Sequence, residues 1–431
     1  MVYSSVRWPD AKSTSEVRDF PPRAIGSPLH REHDDLARNV YCLLGMPVDA
    51  VDLPTALGRI KTALAGRRPF LLSTPNLNFL INSIADPAFR ESLMLSDLCP
   101  ADGIAIVVIA RLLGIPIKER VAGSDMFESL KSVSSGDQPV RVFLFGGEDD
   151  VAETAAIKLN AQATGLTCVG ALNPGHGTVE EMSSEAIIDA INSTDAQFLI
   201  ASLGAQKGQA WLVRNHSVLQ APVRAHLGAA LNFQAGAIHR APPIMRKLGL
   251  EWLWRIKEEP YLWRRYAHDA LVLLRLLSTR IMPLVLESLW QEVKLGLGFE
   301  EGGLLVAEPP SDEFALIKLS GVASARDIEK AITAFDTAVR GGKPIVLDME
   351  KLRFVDNRFL GLLLMLRKQG RSQGVNLRIV RLSGRVARIF RLNGLTSQLG
   401  LLVRAGDQPD VKPAGAEAVL TLGSEVSRRR I

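Results

Sequence analysis

Between Tyr41 and Ala235, short apolar runs without polar alternation recur, separated by longer stretches of helical period. "RPFLLST", "VRVFLFGG", "TCVGAL", "AQFLIASLG" and "VRAHLG" are runs of this kind. A strand wet on one face alternates in polarity, and these do not. Both faces must be covered, which implies a Rossmann-like α/β fold with a parallel sheet between helical layers. Such a sheet binds ligands outside the carboxyl ends of its strands, so chemistry is to be sought there.

Two such places stand out. After "RPFLLST" come Thr74, Pro75 and Asn76, a helix start with Thr as cap and Pro at the first helical position, the helix running through Leu95. "LCPAD" sets Asp102 before the helix "GIAIVVIARLLG", which Gly114 closes. Singly, Thr74 and Asp102 read as caps. Together, Thr74, Asn76 and Asp102 lie one βα unit apart at strand ends and could converge on one crevice. There helix amides favour the Asp102 carboxylate, while a dry cleft raises its pKa towards useful basicity. "KERVAGSD" adds Arg120, whose guanidinium suits a diphosphate, though this stretch alone favours a surface arginine paired with Glu119.

Gly146 and Gly147 of "LFGGEDD" lie at a strand–helix turn, as in nucleotide sites. Glu148, Asp149 and Asp150 would repel phosphate there, so the turn suits a base or ribose, or the acids simply complement the helix dipole. "SLGAQKGQAWL" offers Gln206, Lys207 and Gln209 for hydrogen bonding, or is a plain turn.

The 431 residues suggest two or three domains, and 47% hydrophobic residues are ample for buried cores. A net charge of +5 does not by itself argue for nucleic acid. Cys42, Cys99 and Cys168 are too few and too scattered for a disulfide framework or zinc site, which fits a reducing cytosol. The polar residues 1–40 lack an apolar core and read as a flexible tail.

No run of eighteen uncharged apolar residues exists, so a spanning helix is not expected. Arg240 to Tyr266 carries seven Lys/Arg against three Glu, interleaved with Trp252, Trp254, Tyr261 and Trp263. The amphipathic stretch after it suits a membrane surface, or a helical oligomer interface. "FEEGGLLVAEPPSDE" reads as a linker, followed by a second βα series beginning "FALIKLSG".

Six ordered motifs, "STPNLNFL", "PADGIAIVVIARLLG", "ERVAGSD", "FLFGG", "SLGAQKGQAWL" and "RAPPIMRKLGLEWLWRIKEEP", resemble the WecG/TagA/CpsF glycosyltransferases of bacterial cell-surface polymer synthesis. The resemblance implies an inverting transferase that needs no metal or other cofactor. It would move a sugar from a UDP-sugar to a polyprenyl-diphosphate-linked saccharide, peripherally on the cytoplasmic face of the membrane. The general base falls on Asp102, the substrate-binding Thr and Asn on Thr74 and Asn76, and the arginine on Arg120. The family's basic C-terminal appendage, which meets the membrane and completes the site, falls on Arg255, Arg264 and Arg265. The loop departs from the family's Gly-x-Pro-x-Gln-Glu: Gln206 stands for Pro, Gly208 for Gln and Gln209 for Glu, and Asn232 replaces a usual Asp.

"PIVLDMEKLRFVDNRFLGLLLML" resembles a STAS domain, the fold of anti-sigma-factor antagonists. Asn357 follows Asp356 where that family places a phosphorylatable serine. This implies an unswitched module that docks a protein partner. The expected organisation is a tail over 1–40, the transferase over 41–240, the appendage over 241–298, a linker over 299–312, a small α/β STAS-like domain over 313–410 and a tail over 411–431. One rival, a Rossmann-type oxidoreductase, lacks a Gly-x-Gly-x-x-Gly after any strand. The other is a non-catalytic scaffold that binds sugar nucleotide and works through its STAS half.

Overall fold

Five strands, β3 (Phe70–Leu72), β4 (Val140–Gly146), β5 (Leu166–Leu172), β6 (Phe198–Ser202) and β7 (Val223–His226), form the parallel sheet in the order β3-β7-β6-β4-β5. The structure, a computed structural model, describes residues 34–132, 138–297, 303–396 and 399. Successive strand residues feed opposite cores. Val142 and Leu144 pack with Ile60, Phe127 and Leu159, whereas Phe143 and Phe145 pack with Ile188, Trp211 and Leu212. This two-sided burial is why the strands read as unbroken apolar runs.

The sheet is preceded by an antiparallel hairpin, β1 (Val40–Leu43) and β2 (Met46–Asp49), which the βα pattern did not announce. The segment Leu98–Asp102 is also not a strand. It touches Leu72 and Asp49 through single bridges, Leu72↔Leu98 and Asp49↔Pro100. The helix expected to run through Leu95 is broken in two, Leu77–Ala85 and Pro87–Met94. Asp86 caps the second half and Pro87 cannot continue the first.

Residues 34–39, expected within the flexible tail, are anchored: Leu36 is fully buried, and Asp35 and Arg38 are buried beside it. Residues 1–33 of that tail, and the C-terminal tail, lie outside the described residues. Arg38 donates to Asp49 at 2.8 Å and to Asp35 at 2.9 Å. Asp49 also receives Arg59 at 3.0 Å and the Cys99 N–H at 2.7 Å.

The appendage is helical: Pro243–Lys247, Glu251–Glu258, Trp263–Leu276, a π-helical turn at Leu277–Ile281 and Met282–Gly296. Among the described residues no helix is long and apolar enough to cross a membrane. The C-terminal domain has the sheet order β11-β10-β9-β8. Its strands are β8 (Leu304–Ala307), β9 (Ala315–Ala323), β10 (Ile345–Val355) and β11 (Leu377–Val380). β8 falls in the segment expected to be linker. It pairs antiparallel with β9 and so belongs to the domain.

One continuous apolar core runs from the hairpin through the helices between Phe79 and Ala110 into the C-terminal domain, where Phe335, Phe359 and Phe390 join it. The turn expected as an outward docking surface is therefore not free. Asp356 caps the helix Asn357–Ser372 through the Phe359 N–H at 2.8 Å, and Asn357 donates to the Leu113 carbonyl at 2.9 Å.

The ion network at Asp49 yields a stability prediction. Asp49→Ala strands the buried Arg38 guanidinium without its main partner, so urea unfolding should register a loss of about 3–5 kcal/mol. A loss below about 1 kcal/mol would show that Arg38 is satisfied elsewhere.

Candidate active site

The site residues meet because glycine lets backbones approach. Gly103, at φ +88°, is the residue before the helix Ile104–Leu112, and it makes no side-chain cap. Its positive φ favours glycine, and its ideal Cβ would stand 3.6 Å from the Asn76 Cβ, an ordinary contact that sets the two loops side by side. The Asp102 N–H donates to the Pro75 carbonyl at 3.0 Å. At Gly123 a Cβ would meet Leu227 at 2.6 Å and Thr74 at 3.3 Å, so this helix start is also pressed onto the strand ends.

The capping expectations change accordingly. Asn76, not Thr74, caps the first helix, accepting from the Phe79 N–H at 3.1 Å. Asp102 caps nothing, and Gly103 occupies the cap position instead. The carboxylate is therefore free of the usual structural duty of such an aspartate. Burial pushes its pKa up to about 7, opposed by Arg120 and a backbone hydrogen bond from Gly123, and aided by Glu251 and Asp125.

Arg120 does not pair with Glu119, which accepts the Leu53 N–H at 2.8 Å. It donates to Asp125 at 3.0 Å and to Glu251 of the appendage. Asp125 is a hub: Arg240 and Arg246 reach it as well, and Arg240 also donates to Ser124 at 2.8 Å. Two carboxylates thus hold Arg120 beside Asp102, so its charge does not fully offset the burial of that aspartate.

These groups line one cavity of about 1780 Å³, with Thr74, Asn76, Asp102, Arg120, Gly147, Lys207, Arg255 and Arg265 among its walls. It exceeds the roughly 300–1,000 Å³ of a usual ligand pocket, giving room for two substrates. Lys207 donates to the Gly177 carbonyl at 2.8 Å. Arg255 pairs with Glu259 and lies over the Phe233 ring at 5.6 Å.

Four expected residues are not in this wall. Gln209 is fully buried, accepting from Ser73 at 3.0 Å and donating to the Ser92 carbonyl at 3.3 Å, so it supports the strand end from behind. Gln206 is exposed on the outside of its helix. Gly146 serves the sheet, since a Cβ there would lie 2.5 Å from the Ser202 carbonyl oxygen. Arg264 is exposed over Trp263.

Sequence reasoning missed Asp125, Arg246, Glu251 and His226. His226 ends β7 in the cavity wall, and burial lowers its pKa to about 4, leaving the ring neutral. A Cβ on Gly208 would lie 2.2 Å from the His226 ring, so a side chain at 208 and this ring exclude each other. The place of His226 in "VRAHLG", at a strand's carboxyl end, was the available signal. Asp125 and Glu251 gave none, because acids in a first helical turn are ordinary dipole partners.

Residues 41–284 match the Glycosyl transferase WecG/TagA/CpsF family, and residues 307–404 match the Mlab, STAS domain. Among curated relatives, an N-acetylglucosaminyldiphosphoundecaprenol N-acetyl-beta-D-mannosaminyltransferase of Bacillus spizizenii is 25% identical over 47% of this chain and 77% of its own length. The enzyme of that name from Staphylococcus aureus is 23% identical over 52% of this chain and 85% of its own. A solved structure titled "The overall structure of SLC26A9" aligns at 14% identity with a TM-score of 0.19, over 69% of this chain and 55% of that one, and carries no argument. With more than half its length inside the first match, the chain belongs to the WecG/TagA/CpsF family and is a glycosyltransferase carrying a C-terminal STAS domain.

Proposed function

We propose that the chain transfers a sugar from a UDP-sugar to a hydroxyl of a polyprenyl-diphosphate-linked saccharide, with inversion, in the synthesis of a bacterial cell-surface polymer or exopolysaccharide. The observation that carries this is Asp102, a carboxylate in the cavity wall where the segment Leu98–Asp102 meets the loop after β3, with its pKa moved to about 7. The acceptor hydroxyl oxygen attacks the anomeric carbon as the bond to the donor's diphosphate oxygen breaks. The hydroxyl proton passes to Asp102, and UDP leaves with the bonding pair. A single base suffices for inversion, because attack and departure occur on opposite faces of the sugar.

Thr74 and Asn76 border Asp102 and are available to the acceptor or the transferred sugar. Guanidinium groups of Arg120, Arg246, Arg255 and Arg265 line the same cavity and suit a diphosphate. The relatives' printed acceptor, N-acetylglucosaminyldiphosphoundecaprenol, supports a lipid-linked acceptor for this chain as well.

The appendage is the part that would meet the membrane, on the cytoplasmic face. Tyr261, Leu271, Leu274, Leu286 and Trp290 are each more than half exposed, and the helix with Leu271 and Leu274 also carries Arg264, Arg265 and Arg275. Aromatic and basic side chains together suit an anionic headgroup region.

Labelled UDP-sugars incubated with a polyprenyl-diphosphate saccharide test the reaction, and no transfer from any UDP-sugar tried, across hexoses and hexosamines, would reject it. Asp102→Asn should lower turnover about 100- to 10,000-fold with folding intact. A variant within a few-fold of wild type would remove the base assignment. The base works as carboxylate, so kcat/KM should be low below pH 7, rise through about 7 and level off above it. A profile flat from pH 5 to 8 would contradict this.

On vesicles containing anionic lipid, Arg264→Glu combined with Leu271→Ser should weaken sedimentation on the order of tenfold or more at low salt, each basic side chain being worth about 1 kcal/mol near such a surface. Equal pelleting of variant and wild type would remove the membrane role of this face.

A further inference from the structure

Residues 358–366 of the helix Asn357–Ser372 are all buried. A helix laid on one sheet buries a single stripe, so full burial requires a second partner. One face packs in its own domain, with Phe359 and Phe335 centroids 6.3 Å apart. The other meets the transferase. A Cβ on Gly361 would sit 2.2 Å from the Val40 carbonyl oxygen of β1, so the two backbones touch. Glycine costs a helix interior about 1 kcal/mol, and here the close approach explains its presence.

Polar contacts fix the register of this interface. Arg358 donates to the Val40 carbonyl at 3.1 Å. Lys368 reaches Asp35 at 3.0 Å, Asp97 at 2.9 Å and the Ser96 carbonyl at 3.2 Å. Glu91 receives Arg367 at 2.7 Å and also Arg371. Arg90 donates back to the Gly394 carbonyl at 2.8 Å.

Three contacts across this interface lead to the site. Asn357 holds the carbonyl of Leu113, which ends the helix whose opposite end follows Asp102. Lys368 holds Asp97, whose other oxygen accepts the Leu71 N–H of β3 at 2.8 Å. Ser96, held through its carbonyl, meets the Ser73 hydroxyl at 2.7 Å, one residue before Thr74.

We propose that the STAS domain is a clamp bound in cis: its protein partner is the transferase domain of the same chain, and its Asn357 helix positions the two segments that carry Thr74, Asn76 and Asp102. The face that a switched STAS domain would offer an outside protein is thereby occupied. Asn357 fits this role, because its amide donates to Leu113 as part of a permanent contact. The clamp rests on the transferase reading for its activity arm only.

The test uses the full chain with a specific protease site inserted between Leu297 and Gly303. After cutting, the two pieces should co-elute in gel filtration at the size of the uncut protein, with turnover within about twofold. Gly361→Leu should part the cut pieces and, in the uncut chain, lower kcat at least tenfold while the circular dichroism spectrum stays native. Lys368→Met serves the same purpose should Gly361→Leu fail to fold, with Lys368→Arg restoring most of the rate. Wild-type pieces that separate with turnover unchanged would overturn the clamp. So would a parted interface with wild-type kcat in the uncut chain. A wild-type protein inactive before cutting counts against the transferase reading, while co-elution still decides whether the domains are clamped.

Discussion

The Asp102 carboxylate is half-buried and, among the described residues, forms no ion pair of its own, and the site is arranged around that fact. Arg120 is close enough to oppose the effect, yet its terminal nitrogens donate to Asp125 and Glu251. Were Arg120 released onto Asp102, the aspartate would return towards the ordinary carboxylate range and become a poor base near neutrality. Glu251 comes from the appendage and Asp125 from the helix after Arg120, so two separate pieces of chain maintain the balance.

The same residues join the appendage to the sheet. Asp125 gathers Arg120, Arg240 and Arg246, and Glu251 holds Arg120 from the other side. Movement of the appendage therefore moves the groups that set the charge on Asp102. The helix that supplies Glu251 belongs to the appendage proposed to meet a membrane, so lipid contact there would be coupled to the chemistry by geometry. Small displacements matter at such a centre, since a shift of about 1 Å can cost on the order of a hundredfold in rate.

The sequence disclosed what depends on periodicity. Unbroken apolar runs identified β3 to β7 because burial on both faces removes polar alternation, and Gly114 marked a helix end because its left-handed φ of +72° favours glycine. Contacts between distant segments were not legible. Gln209 resembles a loop hydrogen-bonder, and only the fold places it behind β3 with Ser73 and Ser92. Asp102 looked like a cap because Asp before Gly commonly is one, whereas the positive φ at Gly103 turns that side chain away from the helix it precedes. The run "NRFLGLLLMLRK" is apolar all round, which signals burial on two sides, yet it does not name the second partner.

The central claim is that Asp102 titrates near neutrality because of where it is held, and carboxyl-selective isotope labelling reads this directly. With aspartate ¹³C-labelled at Cγ, the resonance lost in Asp102→Asn should titrate with a midpoint near pH 7 in the wild-type protein. A midpoint in the usual aspartate range of about 4 would contradict the account. The carboxylate would then be an ordinary exposed acid, and the base would have to be sought elsewhere in the cavity.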